Sequence, residues 1–370
     1  MTDLHTNWTK LIGNQKQDYA GNIAIDNDGF LYLSSHRENN SQIIIDEDGD
    51  WIYRYTPLIS KFNSNGNQIW SKEVSGSASY DGNSIAIGAD NSLFLAGDTY
   101  DNLDNQVTNG DFDAFISKFD SDGNKEWTTL IGSNKKENAI DIEINNNGEI
   151  YLIGDTYGNL NGQINNGYSD AFISKINSNG TTLWTKLIGS FTNDNSESLI
   201  TDSNGNLYIT GTTWGNLDGQ INNGKHDVFI SKVDSNGTTL WTKLVGSAGF
   251  DYSKDIAIDS NGYIYITGRT DENLDGQVNN GSNDAFISKF DSNGNKLWTR
   301  LIGGKNNDES YGIAINASGN IYITGFTQDN LDGQVNNGGN DAFISKFDSD
   351  GSKLWTRLIG GKNNDESYGI

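Results

Sequence analysis

Six tryptophans, Trp70, Trp127, Trp184, Trp241, Trp298 and Trp355, follow one another at intervals of 57 residues, and Trp8 precedes the first of them by 62. So regular a spacing admits few folds. Each unit must be one supersecondary element that buries its apolar face only against its neighbours. The 370 residues are therefore read as one array rather than as unrelated domains. In tryptophan register the repeats are 9–70, 71–127, 128–184, 185–241, 242–298 and 299–355, and 356–370 begins a further one. The first repeat carries five extra residues.

Within a unit four short apolar segments alternate with turns. In the fifth they are DIAID (255–259), YIYITG (263–268), DAFISKFD (284–291) and KLWTRLIG (296–303). Each has the length, β-branching and partial alternation of a strand. Short SNG and SNGN stretches join the first strand to the second and the third to the fourth, as in tight hairpins. A glycine stands four residues before every repeat tryptophan (Gly66, Gly123, Gly180, Gly237, Gly294, Gly351), where a positive φ is expected. A polar loop of roughly fifteen residues, GNLDGQINNGKHD in the fourth unit, joins the second strand to the third. Four antiparallel strands at this period predict an all-β chain, a β-propeller of four-stranded blades. A β-solenoid is the alternative, but its coils are shorter and lack paired hairpins. The hairpins then ring one end of the blades and the long loops the other. Trp8 and the tail LWTRLIGGKNNDESYGI are expected to share a partial seventh blade, truncated at the C-terminus; six blades with spare ends is the alternative.

The stretches DAFISKFDSNGNKLWTRLIGG, GNIYITG and NLDGQVNNG resemble the SBBP repeats, named for seven-bladed propellers of bacterial proteins. The resemblance covers nearly the whole chain. It implies a propeller, and a secreted or surface-associated protein of the kind sometimes found beside calcium-binding repeats.

Composition narrows the partners. The net charge is −24, from 49 acidic and 25 basic residues, which opposes nucleic acid and anionic membranes as ligands. There is no cysteine, hence no disulfide framework and no thiolate chemistry. The start, MTDLHTNWTKLIG, lacks the basic and apolar regions of a signal peptide, and no apolar run is long enough to span a bilayer. The expected setting is extracellular or cell-surface, as part of a longer chain.

The long loops hold the candidate site residues. Asp104, Asn161, Asp218, Asp275 and Asp332 recur at one loop position, Asn109, Asn166, Asn223, Asn280 and Asn337 five residues later, then Asp113, Asp170, Asp227, Asp284 and Asp341 before the third strand. Ten residues after the tryptophans stand Asp18, Glu137, Asp194, Asp251, Asp308 and Asp365. Oxygen donors at this density suit Ca2+, which takes about six to eight of them, and one cation per loop is a candidate role. The plainer role is loop capping, with Asp and Asn side chains bonding nearby amides. Tyr100, Tyr157 and Trp214, at one loop position, are candidate sugar-stacking rings or pack beneath their own loops.

Other motifs fail on inspection. DEDGD at Asp46–Asp50 lacks the glycine and the closing glutamate of an EF-hand. GQINNGK at Gly219–Lys225 is followed by His226 and a strand where a phosphate loop needs Ser or Thr and a helix. The repeated tryptophans are expected in the core. The lysines of each ISK (Lys61, Lys118, Lys175, Lys232, Lys289, Lys346) are expected to be solvated or acid-paired. The three histidines, His5, His36 and His226, stand at unrelated repeat positions. The expected function is a non-enzymatic binding or scaffold propeller that presents an acidic loop face to a glycan or protein. A carbohydrate-active hydrolase or lyase using paired loop carboxylates is the alternative.

Overall fold

The computed structural model describes residues 18–45, 51–74 and 84–370. Trp8, expected to contribute to a seventh blade, the Asp46–Asp50 run, and Tyr80 with Asp81, where the acid expected ten residues after Trp70 is displaced by one, lie outside the described residues. Six four-stranded antiparallel sheets follow one another along the chain, with strands in sequence order and no helix among the described residues. The chain is an all-β propeller of four-stranded blades. Two compact units divide it: residues 1–165 with 172–187, and residues 166–171 with 188–370.

The fifth blade typifies the rest, with strands Asp251–Ile258, Ile264–Thr270, Asp284–Phe290 and Lys296–Ile302. Its first strand starts four residues earlier than the apolar pattern predicts. The polar segment Asp251–Lys254 pairs with the second strand across a register shift between Ser253 and Asp255, so alternation breaks where the strand continues. Second and third strands are buried along their length because each is covered on both faces. Phe229, Phe286, Tyr208 and Tyr265 are at most 1% exposed. Clusters such as Tyr208, Val228, Ile230, Ile256, Ile266 and Phe286 fill the space between consecutive blades. Each such ring contributes about 1.5–3 kcal/mol by leaving water.

The hairpins follow from side-chain capping. Asp259 Oδ1 accepts the amides of Asn261 and Tyr263 at 2.9 and 3.0 Å, Asp259 Oδ2 accepts the Tyr265 hydroxyl at 3.0 Å, and Gly262 takes φ +81°. The repeat tryptophans are half-buried rather than core. Trp241 leans on Tyr208 at 6.0 Å and covers Gly294 of the next blade, where a Cβ would stand 3.1 Å from the indole. The ISK lysines lie partly buried: Lys175 meets Glu149 at 2.5 Å, and Lys232 sits over the Tyr208 ring.

Candidate functional site

The loop ends of the blades carry two layers. The outer layer is turn architecture. Leu274 and Gln277 bridge around Asp275 (φ +52°) and Gly276 (φ +75°), and the corresponding bridge recurs in all five long loops. The left-handed position explains why only Asp and Asn stand there. Their side chains are engaged: Thr128 donates to Asp104 at 2.5 Å, Thr242 to Asp218 at 2.6 Å, Thr299 to Asp275 at 2.6 Å and Thr356 to Asp332 at 2.5 Å, and Asn161 donates to Thr185 at 2.8 Å. Lys125, Lys296 and Lys353 pair with Asp104, Asp275 and Asp332. Asn166, Asn223, Asn280 and Asn337 use their backbone amides to cap Asp170, Asp227, Asp284 and Asp341. The expected cluster of all three loop positions around one cation is therefore not assembled. One position belongs to Thr and Lys, the second offers N–H, and only the third is left with a spare carboxylate oxygen.

The inner layer joins each third-strand aspartate to the acid that opens the next blade. The residue before the aspartate accepts the amide of that acid: Ser169 from Asp194 at 2.8 Å, His226 from Asp251 at 2.9 Å and Asn283 from Asp308 at 2.9 Å. Asp170, Asp194, Asp227, Asp251, Asp284 and Asp308 are fully buried. Burial is the main cause that pushes the carboxyls of Asp170, Asp227 and Asp308 up to about 6, and the neighbouring aspartate adds to the rise. Paired carboxylates exist, then, but inside the junctions rather than on the loop face, so they cannot be the accessible pair expected of a glycosidase.

A different constellation reaches the surface in the second unit. His226 Nδ1 and the Tyr252 hydroxyl share a hydrogen bond at 2.9 Å. The Trp214 ring stacks on His226 at 4.4 Å and is 46% exposed, with Phe250 edge-on to the imidazole at 4.7 Å. The Arg269 guanidinium lies over Tyr252 at 4.6 Å and pairs with Glu309 at 3.1 Å; Lys225 sits over Phe250 at 4.2 Å. Asp271 accepts the Phe250 amide at 2.6 Å and fixes the loop behind the ring. Burial holds the imidazole below its usual value, with Asp271 drawing it up and Lys225 pressing it down. A neutral imidazole bonded to a phenol is a proton-transfer pair.

A cavity of about 500 Å³ lies at the other end of the blades between the Asp259–Tyr263 and Ala317–Gly319 hairpins, away from this chemistry. Of the expected sugar-stacking rings, Trp214 joins the cluster, whereas Tyr100 packs edge-on to Phe112 at 5.5 Å and Tyr157 is half-buried. His226 escapes sequence reading because its partners come from the following repeat. One signal was available: the cluster occupies the columns in which the repeats differ. At the His226 column stand Phe112, Ser169, Asn283 and Asn340; at the Tyr252 column, Asn138, Asn195, Glu309 and Glu366; at the Arg269 column, Asp155, Thr212 and Phe326.

Comparison with known proteins agrees with the architecture. Residues 183–218, 240–275 and 297–332 match the SBBP beta-propeller repeat. The regulatory protein FlaEY of Caulobacter vibrioides is 26% identical over 189 residues, 45% of this chain, and the match spans only 20% of that protein. Among solved structures, a PL25 ulvanlyase superposes with a TM-score of 0.54 at 14% identity, covering 96% of this chain and 86% of the lyase. The polysaccharide lyase Uly1 superposes with a TM-score of 0.50 at 12% identity over 97% of this chain and 85% of that one. At such identities the likeness is one of fold. Two of the solved structures that share this fold are polysaccharide lyases, which corrects the expectation of a non-enzymatic chain: the architecture is one that carries catalysis in other proteins.

Proposed function

We propose that this chain of SBBP β-propeller repeats is a carbohydrate-active enzyme of the lyase type, working at the loop end of its fourth and fifth blades. The observation that carries the reading is the His226–Tyr252 hydrogen bond, set in the one junction whose variable positions all bear aromatic, cationic or imidazole groups. The substrate class follows the chemistry of the rim. Trp214 offers a half-exposed ring to a sugar face, and Lys225 offers an exposed cation to a uronate or sulfate. One of the similar lyases was solved bound to -[GlcA(1-4)Rha3S]-, a chain of that kind.

Elimination needs a base to take the proton beside the uronate carboxyl and an acid to protonate the departing glycosidic oxygen. His226, kept neutral by burial, is the base when Nδ1–H donates to the Tyr252 oxygen and leaves Nε2 its lone pair. Tyr252 supplies the phenolic proton, and Arg269 over its ring steadies the negative charge that develops as the proton leaves. The test is to incubate the chain with ulvan and other uronate polysaccharides while following the ultraviolet absorbance of the unsaturated product. His226→Asn and Tyr252→Phe are each expected to lower the rate about 100-fold or more. New reducing ends without that absorbance would make the enzyme a hydrolase, and no cleavage across the panel would sink the reading.

A further inference from the structure

The hairpin end of the fifth and sixth blades opens a cavity of about 500 Å³ that the loop-end chemistry does not use. Tyr263, Leu297 and Trp298 form its apolar side, and Asp259, Lys289 and Asp350 are its charged groups. Lys289 is only 7% exposed. Its ammonium donates to the Ser349 carbonyl at 2.9 Å and stands 4.2 Å from the Tyr263 ring and 5.1 Å from the Tyr265 ring. The equivalent lysines of the second, third and fourth blades are neutralised, Lys118 by Glu126 at 3.0 Å, Lys175 by Glu149 at 2.5 Å and Lys232 by Asp202 at 3.9 Å. Lys289 has no carboxylate within ion-pair distance among the described residues. An ammonium carries three N–H donors, so a buried one with a single carbonyl partner has donors to spare.

Departures from the repeat make the cavity. At the Tyr263 column stand Phe30, Ser92, Glu149, Asn206 and Asn320, so this junction has a ring where the third blade has the acid that holds Lys175. The first and second blades supply an internal comparison. There Phe30 and Ala89 take the places of Tyr263 and Ala317, and Lys61 again lies over the ring, at 4.3 Å. Yet Asn91 donates to Asp28 at 3.0 Å and Asn27 to Asn91 at 3.4 Å, which ties those two hairpins together. The residue equivalent to Asn91 is Gly319, where a Cβ would meet nothing nearer than Ser349 at 3.9 Å. With no side chain to bridge the hairpins from that position, the space between them stays open.

We propose that this cavity is a binding site for a neutral sugar residue of a glycan, separate from the His226 cluster. The spare N–H groups of Lys289 call for oxygen acceptors, whereas Asp259 and Asp350 accept O–H donors and repel an anion. An uncharged ring rich in hydroxyls supplies both. Its C–H face suits Tyr263 and Leu297, which is 49% exposed, and the volume is that of a small-ligand site. Such a site anchors a glycan without touching the proton-transfer pair at the loop end.

The test is calorimetric titration of the full chain with glucose, galactose, rhamnose and xylose in turn, and with glucuronate for comparison. Saturable binding of at least one neutral sugar is expected, with a Kd of about 1 mM, and weaker binding of glucuronate. Gly319→Asn copies Asn91, which holds the same left-handed position at φ +60°; it should bridge the hairpins and weaken binding about tenfold or more. Tyr263→Asn, the residue of the fourth and sixth blades, removes the ring and repeats the measurement should the first variant misfold. No binding of any of the four neutral sugars would overturn the proposal. Undiminished binding in a folded variant would overturn it by placing the sugar elsewhere, and tighter binding of glucuronate would overturn it by making Lys289 the reader of a carboxylate.

Discussion

At the scale of the residue, function rests on departures from the repeat. His226 stands where the equivalent residues are Phe112, Ser169, Asn283 and Asn340, and its hydrogen bond to Tyr252 is what the proposed base rests on. Because burial depresses its pKa, His226 is neutral at pH 7, and activity should fall as pH drops through a midpoint below about 6.5. A pH–rate profile checks this, and His226→Asn should abolish that limb together with the rate. Trp214→Ala should act on binding, raising KM roughly fivefold with a smaller change in kcat, as expected when about 1 kcal/mol of ring contact is lost. The role proposed for His226 was not legible from the sequence, and that of Trp214 was legible only as one of three candidate rings. Trp214 is one of three aromatics at its loop position, and what separates it from Tyr100 is the partner beneath it, an imidazole instead of the Phe112 ring.

At the scale of the element, the repeat is spelled in turn chemistry, and most of that was legible. The glycine before each tryptophan takes a positive φ, +78° at Gly294, and it also lies under the tryptophan of the preceding blade. Gly294→Ala therefore meets two obstacles at once and should cost about 1–3 kcal/mol in urea unfolding. Asp275 occupies a left-handed turn position that Asn161 fills in the third blade, with both side chains bonded to a threonine. Asp275→Asn should stay within about 0.5 kcal/mol of the parent, whereas Asp275→Val, forced to a positive φ, should lose more than about 1 kcal/mol. The acid that opens each first strand was harder to place. Asp251 precedes the register shift, so its strand begins in a polar stretch that alternation does not mark.

At the scale of the whole molecule, the acidic composition and the buried pairs act in one direction on stability. The folded chain holds the carboxyls of Asp170, Asp227 and Asp308 at about 6, above their unfolded values, so it binds more protons than the unfolded chain between about pH 4 and 6. The melting temperature should therefore rise as pH falls from 8 to 5. The hairpin aspartates Asp120, Asp234 and Asp291, held low by amide donors, oppose this only at lower pH. A melting temperature flat or falling over that interval would contradict the assignment of buried, unneutralised pairs. The period, the four strands, the hairpins and the propeller were determined by the sequence alone, because each depends on neighbours within one repeat: alternation, β-branching, and glycine or aspartate at a turn. The tertiary structure decided which residues meet. Asp227 faces Asp251, and His226 bonds Tyr252 across 26 residues, because the loop end of one blade is hydrogen-bonded to the first strand of the next. Burial and proximity across that junction set charge and reactivity, and neither is a property of a residue in its own repeat.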